Sequence, residues 1–318
     1  MRFLPVMLLS AATIWAGELD TAKLRASLPV KEGDEYSERT EGLVRRAVAA
    51  AIGKEPTDVA APCCDEKGSH ILFVGLPGAS FRRFAYNPEA TGDVRLSPEI
   101  VDLYERSMRA LGAAVLKGGG AAAEDDSRGY ALMKDPDARS IQMATRRWAL
   151  KREPELLRVL EFSASAEHRR VAGHALGYAR QSRRQISALV RAARDPDDVV
   201  RNNVTRALGV LVRSNAKLAA EIPPDAFIEM LSSGMWTDRN KGTMLVEQLT
   251  AGRDPALLAK IRSSSMDALV EMALWRQTGY SVAARMVLGR MAGLPEDRLQ
   301  ELAWKGPVEA MLEAVNRK

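Results

Sequence analysis

One motif is written twice in the second half of the chain. Arg169-Arg170-Val171-Ala172-Gly173-His174-Ala175-Leu176-Gly177 returns about 32 residues later as Arg201-Asn202-Asn203-Val204-Thr205-Arg206-Ala207-Leu208-Gly209. A period of this length is the size of one helix pair. Such a unit cannot bury its apolar face alone, so neighbouring units must stack to make a continuous core. The recurrence therefore predicts an array of helical hairpins and, with it, an extended surface suited to binding.

Composition agrees. Ala, Leu and Arg are abundant and aromatic residues make up 5% of the 318 positions, a balance that favours helix. The net charge of +5 and the pI near 9.2 are too mild to argue for nucleic acid. At the N-terminus, Arg2 precedes an uncharged, mostly apolar stretch over residues 3–14, too short for a span of roughly 20 residues. Ala16-Gly17 follows as a cleavage site, so residues 1–16 read as a signal peptide and the chain as exported to the periplasm or beyond. A buried first strand is the competing reading of the same residues. The only cysteines, Cys63 and Cys64, are adjacent. They give no disulfide framework, and with His70 they lack the spacing and fourth ligand of a zinc site.

Along the chain, 17–96 reads as a small α/β head. A helix over 37–52 stops at Gly53. The apolar run 70–74 and the alternating run 81–86, joined by the turn at 76–80, predict a β-hairpin. Ser97-Pro98 opens a helix that ends at Gly118-Gly119-Gly120, and residues 121–127 read as a flexible connection. Over 135–318 helix pairs follow one another, opened by Asp135-Pro136, Asp195-Pro196 and Asp254-Pro255, where Asp caps and Pro fills the first turn. The predicted class is mainly α: a solenoid of helix pairs with a C-terminal cap, preceded by the head and, over 97–134, the connecting helix.

The residues Asp195-Pro196-Asp197-Asp198-Val199-Val200-Arg201 with Ala207-Leu208-Gly209, and the parallel set at 167–169 and 175–177, resemble the HEAT-repeat family. They are similar in particular to the short HEAT-like repeats first described in bilin lyases. The stretches at 73–78, 86–88 and 91–96 look like the head that precedes the repeats in exported HEAT proteins of unknown function. The resemblance implies a scaffold that binds proteins. It also implies a bilin-lyase-like activity, against which stand the leader peptide and the lack of a suitably placed reactive cysteine.

Charge supplies the candidate contacts. Between Ala138 and Arg213 about 16 Lys and Arg face about 7 Asp and Glu, or roughly +9. Summed on one face, this would attract an acidic protein, an anionic envelope polymer or a lipid surface. Arg146, Arg147, Lys151, Arg152, Arg180, Arg183, Arg184 and Arg191 are the expected contacts, and Trp236, beside a helix start, either plugs the gap between repeats or stands on the ridge as a contact anchor. Arg139, Arg169, Arg201 and Arg239 fall early in first helices and are expected to form a structural ladder with the capping aspartates. His174 reads as a satisfied polar position, and Trp148, Trp275 and Trp304 as interior or capping residues. No catalytic residue, cofactor or metal ligand is assigned. The favoured function is a non-enzymatic exported binding scaffold. The alternative is an envelope enzyme or accessory with a site between head and solenoid near Tyr86, Asn87 and Arg95.

Overall fold

The computed structural model describes residues 7–11, 21–31, 33–34, 36–62, 70–76 and 84–317. Cys63, Cys64 and residues 77–83 lie outside them. The chain is mainly helical. It divides into two compact units, one of residues 85–226 and one that joins residues 1–84 to 227–318.

The N-terminal part of the split unit holds β1 (Met7–Ala11), α1 (Thr21–Ser27), α2 (Glu38–Ile52), β2 (Asp58–Ala60) and β3 (Ile71–Gly75). The sheet order is β1-β3-β2. β1 runs parallel to β3, with Met7 opposite Ile71. β2 runs antiparallel to it, with Asp58 opposite Gly75. β3 is buried along its whole length, as its uninterrupted apolar run requires. The hairpin thus pairs β3 with the strand before it. Residues 84–86 form no strand, and residues 81–83, the first half of the expected returning strand, lie outside the described residues. Val44 and Val48 of α2 pack with Leu24, Leu28, Val59, Leu72 and Val74 in one cluster. Gly53 ends α2 at φ 70°, where its N–H donates to the Ala49 carbonyl. That left-handed C-cap suits glycine because it has no Cβ.

Residues 85–226 contain α3 (Pro98–Lys117), β4 (Glu124–Asp125), β5 (Leu132–Met133), α4 (Pro136–Phe162), α5 (Ala166–Leu176), α6 (Arg183–Ala192) and α7 (Asp198–Ser214), then a 3-10 turn over Ala216–Glu221. α4 is two helices of one pair. It breaks at Arg152 (φ −126°, ψ 24°), two residues before Pro154, whose ring and missing N–H disrupt a continuous helix. Asp135 caps α4, accepting from the N–H groups of Asp137 and Ala138. At the next Asp-Pro pair the cap moves: Asp197, not Asp195, accepts from Val200 N–H at 3.0 Å, and Pro196 precedes the helix. Asp195 is diverted to an arginine. α5 and α7 pack together through the recurring motif, with Val171, Ala172, Ala175 and Leu176 buried on one and Val200, Val204, Leu208 and Leu211 on the other. Each valine or leucine among them contributes roughly 1.5–3 kcal/mol of burial. A Cβ on Gly177 would lie 3.0 Å from Ala207 Cβ, so the repeated glycine permits the close approach. Residues 121–127 are folded rather than flexible. They turn into the β4–β5 hairpin, and Glu124 and Asp126 pair with Arg206 and Arg213 of α7.

The short helix α8 (Asp225–Met230) carries the chain across the 226/227 division. The split unit then continues with α9 (Trp236–Leu249), α10 (Pro255–Ala273), α11 (Thr278–Met291), α12 (Glu296–Lys305) and α13 (Val308–Asn316). α10 breaks at Ser265. α11 packs on α9, α10, α12 and α13. The head strands are built into this stack. Thr57 Oγ donates to the Gly234 carbonyl at 2.8 Å, and Trp236 N–H donates to the Asp58 carboxylate at 2.8 Å. Asp58 therefore supplies the cap that Met235 cannot. Phe73, Trp236, Trp275 and Tyr280 form an aromatic cluster, with Trp236 stacked on Trp275 at 4.8 Å. Trp236 is 8% exposed. It fills the interior and presents no surface anchor, because the head strands cover the ridge it would have occupied. Trp304 departs in the opposite sense, lying 54% exposed on α12.

Candidate functional site

The arginines fall into two sets. One set, buried or half-buried, is tied to carboxylates and backbone carbonyls of the fold. Arg169 pairs bidentately with Asp195, Nε to Oδ2 at 2.7 Å and Nη2 to Oδ1 at 2.9 Å, and also donates to the Ser163 carbonyl at 2.9 Å. Arg201 donates to the carbonyls of Asp195 and Pro196 at 2.8 and 2.9 Å. Arg239, 1% exposed, reaches Glu271 at 3.1 Å, and Arg139 reaches the Met133 carbonyl at 3.4 Å. Arg169 meets an aspartate as the ladder expects, Arg239 meets a glutamate, and Arg139 and Arg201 donate to backbone carbonyls. Burial pushes the Glu271 carboxyl up, while Arg239 pulls it down. Three members escaped the sequence reading. Arg170 pairs with Asp197 (Nε–Oδ1 2.9 Å), Arg206 with Glu124, and Arg290 with Glu247 and Glu296. Burial works to raise the Asp197 carboxyl, but Arg170 and the Val200 N–H hold it below the usual range. Arg170 and Arg206 stand in the motif itself, beside or within the repeated Arg and Ala-Leu-Gly positions, and were the legible part of that signal.

The expected contact residues separate on inspection. Arg146 is structural: Nη1 donates to the Tyr178 carbonyl at 2.9 Å, and the guanidinium lies 3.7 Å over the Tyr130 ring. Arg152 pairs with Glu155 at 3.5 Å, Arg183 with Glu221 at 3.6 Å and Arg191 with Glu161 at 3.4 Å. Arg147, Lys151, Arg180 and Arg184 are exposed and meet no carboxylate within 4.0 Å among the described residues. Glu124, Asp126 and Glu221, acids outside the counted span, offset part of the positive excess seen in the sequence, and cations without an ion pair remain on α4 and around the start of α6.

Tyr86, Asn87 and Arg95 belong to an extended strap over residues 84–97. Asn87 N–H donates to the Arg194 carbonyl at 2.7 Å and its amide donates to the Arg191 carbonyl at 2.8 Å. Gly92 exchanges backbone bonds with Phe162 and Ala164, both 2.8 Å, and Leu96 N–H donates to His168 Nδ1 at 3.0 Å. The strap thereby caps the orphan carbonyls at the ends of α4 and α6. Tyr86 lies over Arg201 at 5.1 Å, and Arg95 forms an exposed pair with Asp93. Under the strap is a pocket of about 250 Å³ floored by Leu157, Leu160, Ala188 and Ala192.

His174 sits between the rings of Tyr104 (5.1 Å) and Tyr178 (5.4 Å). Its Nε2 and the Tyr178 hydroxyl are buried without a hydrogen-bond partner, so the position is not the satisfied one expected. The Arg206 guanidinium is close enough to act on both electrostatically without meeting bonding geometry. Burial, and secondarily Arg206, lower the His174 imidazole to about 3. It is therefore neutral at pH 7. Among the described residues no cluster of three or more His, Cys, Asp or Glu could hold a metal ion, and no helix is long and apolar enough to cross a membrane.

Residues 153–239 match the family described as HEAT repeats. This stretch is built of HEAT repeats. The match begins at the second half of α4 and includes both copies of the recurring motif. No curated protein and no solved structure matches the chain. HEAT repeats suit a protein-binding scaffold, because the stacked helices expose rows of side chains that no single unit uses for its own fold.

Proposed function

We propose that the chain is an exported, non-enzymatic scaffold that holds an acidic protein partner on the HEAT-repeat unit. The observation that carries this reading is the division of the arginines. Most are spent on carboxylates and carbonyls, yet Arg147, Lys151, Arg180 and Arg184 stay exposed without ion pairs. Charges left over in this way raise local repulsion unless a partner supplies anions, and they steer an acidic surface toward the repeats. The export part of the proposal is supported by the leader-like pattern of residues 1–16, and it stands against the competing reading of a first strand, since residues 7–11 pair with β3 as β1. Removal of the leader would take β1 away and leave one edge of β3 unpaired.

Two measurements test the proposal. The mass of the chain recovered from its native cell shows whether residues 1–16 are removed; an intact leader refutes export. Capture of protein from envelope extract at low and high salt, with wild type and the Arg147→Gln/Lys151→Gln/Arg180→Gln/Arg184→Gln variant, tests the cations. Salt-sensitive capture lost in the variant is expected. Capture unchanged in the variant would place the partner elsewhere.

A further inference from the structure

Between α3 and α4 runs a groove of about 470 Å³, lined by Glu99, Asp102, Leu103 and Arg106 on one side and Ala144, Arg147, Trp148, Lys151 and Arg152 on the other. The two walls differ in charge. α3 begins here, and its first turns carry Glu99 and Asp102. The first half of α4 ends here, and its last turn carries Arg147, Lys151 and Arg152 before the break. Asp102 is engaged by Arg106 at 3.4 Å, and Arg152 by Glu155 at 3.5 Å. Arg147 and Lys151 are one turn apart on the same helix. Like charges at that spacing destabilise an isolated helix, and no carboxylate among the described residues lies within 4.0 Å of either. Part of the cost is met by the carbonyl end of the helix, which favours cations. That effect explains a positive residue there, but not a groove with two of them on one wall. The floor is apolar, with Leu103 and Trp148 buried at 7% and 8% exposure.

We infer that this groove is the docking site of the scaffold's partner, and that it takes an acidic side chain of a polypeptide, with the carboxylate held by Arg147 and Lys151 and the aliphatic stem laid on Leu103 and Trp148. The inference rests on the scaffold reading above and names its contact. The acidic wall decides the class of ligand. A dense polyanion would bring charge against Glu99 as well as toward the cations. A peptide carries one carboxylate among neutral or basic neighbours and satisfies both walls.

The test uses purified full chain and three probes, followed by calorimetry and by the difference in tryptophan fluorescence between wild type and Trp148→Phe, which isolates the groove from the other tryptophans. The probes are a capped octapeptide with one central Glu among Ala and Ser, the same peptide with Gln for Glu, and inorganic polyphosphate. The Glu peptide is expected to bind, the Gln peptide to bind at least tenfold more weakly, and polyphosphate to bind no better than the Glu peptide. Arg147→Gln/Lys151→Gln should weaken the Glu peptide at least tenfold, while Arg180→Gln/Arg184→Gln changes it less than twofold. All four side chains are exposed, so circular dichroism should show both variants folded. If the Glu peptide instead responds to the Arg180/Arg184 variant alone, the groove assignment fails and the scaffold reading stands. Tighter binding of polyphosphate overturns the choice of a peptide. No binding of the Glu peptide at millimolar concentration overturns the groove. If salt-sensitive capture from extract is absent too, the scaffold reading falls with it.

Discussion

Arg169→Met is the sharpest test of how the repeats are held together. The methionine keeps much of the side-chain volume and removes the charge. Asp195, whose side chain is 8% exposed, would lose both guanidinium bonds and keep the Asp197 N–H at 2.9 Å. The buried Ser163 carbonyl would lose its 2.9 Å donor as well. Removing one partner of a buried ion pair costs about 3–5 kcal/mol, because the remaining charge is left without compensation. With a urea slope of about 2 kcal/mol per molar, the unfolding midpoint of this unit should fall by roughly 2 M. Asp195→Asn in the same background removes the stranded charge and should restore at least half of the loss. Urea melts of wild type, both single variants and the double variant close the cycle. A loss below about 1 kcal/mol for Arg169→Met, or a double variant no better than the single, would refute the assignment of Arg169 as a buried clamp.

Three further outcomes follow from named contacts. His174 takes up a proton in the unfolded chain near pH 6.5 but resists it in the folded state until about 3. Stability should therefore fall as pH drops below 6.5, by up to about 1.4 kcal/mol per pH unit; His174→Phe should flatten that slope, and parallel pH curves for the two proteins would count against the buried neutral imidazole. A Cβ on Gly75 would lie 1.8 Å from the Gly234 carbonyl oxygen, so Gly75→Val should lower the melting temperature of the split unit sharply, while an unchanged temperature would show that β3 does not meet the loop before α9. Trp236→Ala should cost about 3–5 kcal/mol as a large-to-small core change, whereas Trp304→Ala on the exposed face of α12 should stay within about 0.5 kcal/mol; chemical denaturation reads both.

The extent of what was legible follows the range of the interactions. Caps, breaks and apolar stripes act within a few residues, so Gly53, Pro98, Asp135-Pro136 and the motif at 169–177 and 201–209 were readable along the line of the chain, although the Ser97 hydroxyl makes no cap bond to α3. The strand partner of β3 was not, because an apolar run does not state which neighbour it pairs with. The same holds for the cations. Arg146, Arg147 and Lys151 look alike in a sequence, and what separates them is whether a carbonyl or carboxylate arrives from elsewhere.

By itself, then, the order of residues determined that the chain is a series of stacked helix pairs with an arginine-rich second half. Periodicity and capping are local, and a repeat implies its own neighbour. Tertiary structure alone decided that Trp236 is enclosed by the head strands, that Asp195 serves an arginine rather than a helix start, and that Glu124 and Asp126 neutralise Arg206 and Arg213 across more than 80 residues of chain. Those outcomes depend on which distant groups are brought within about 3 Å of one another, and hydrogen bonds and ion pairs act only at that distance.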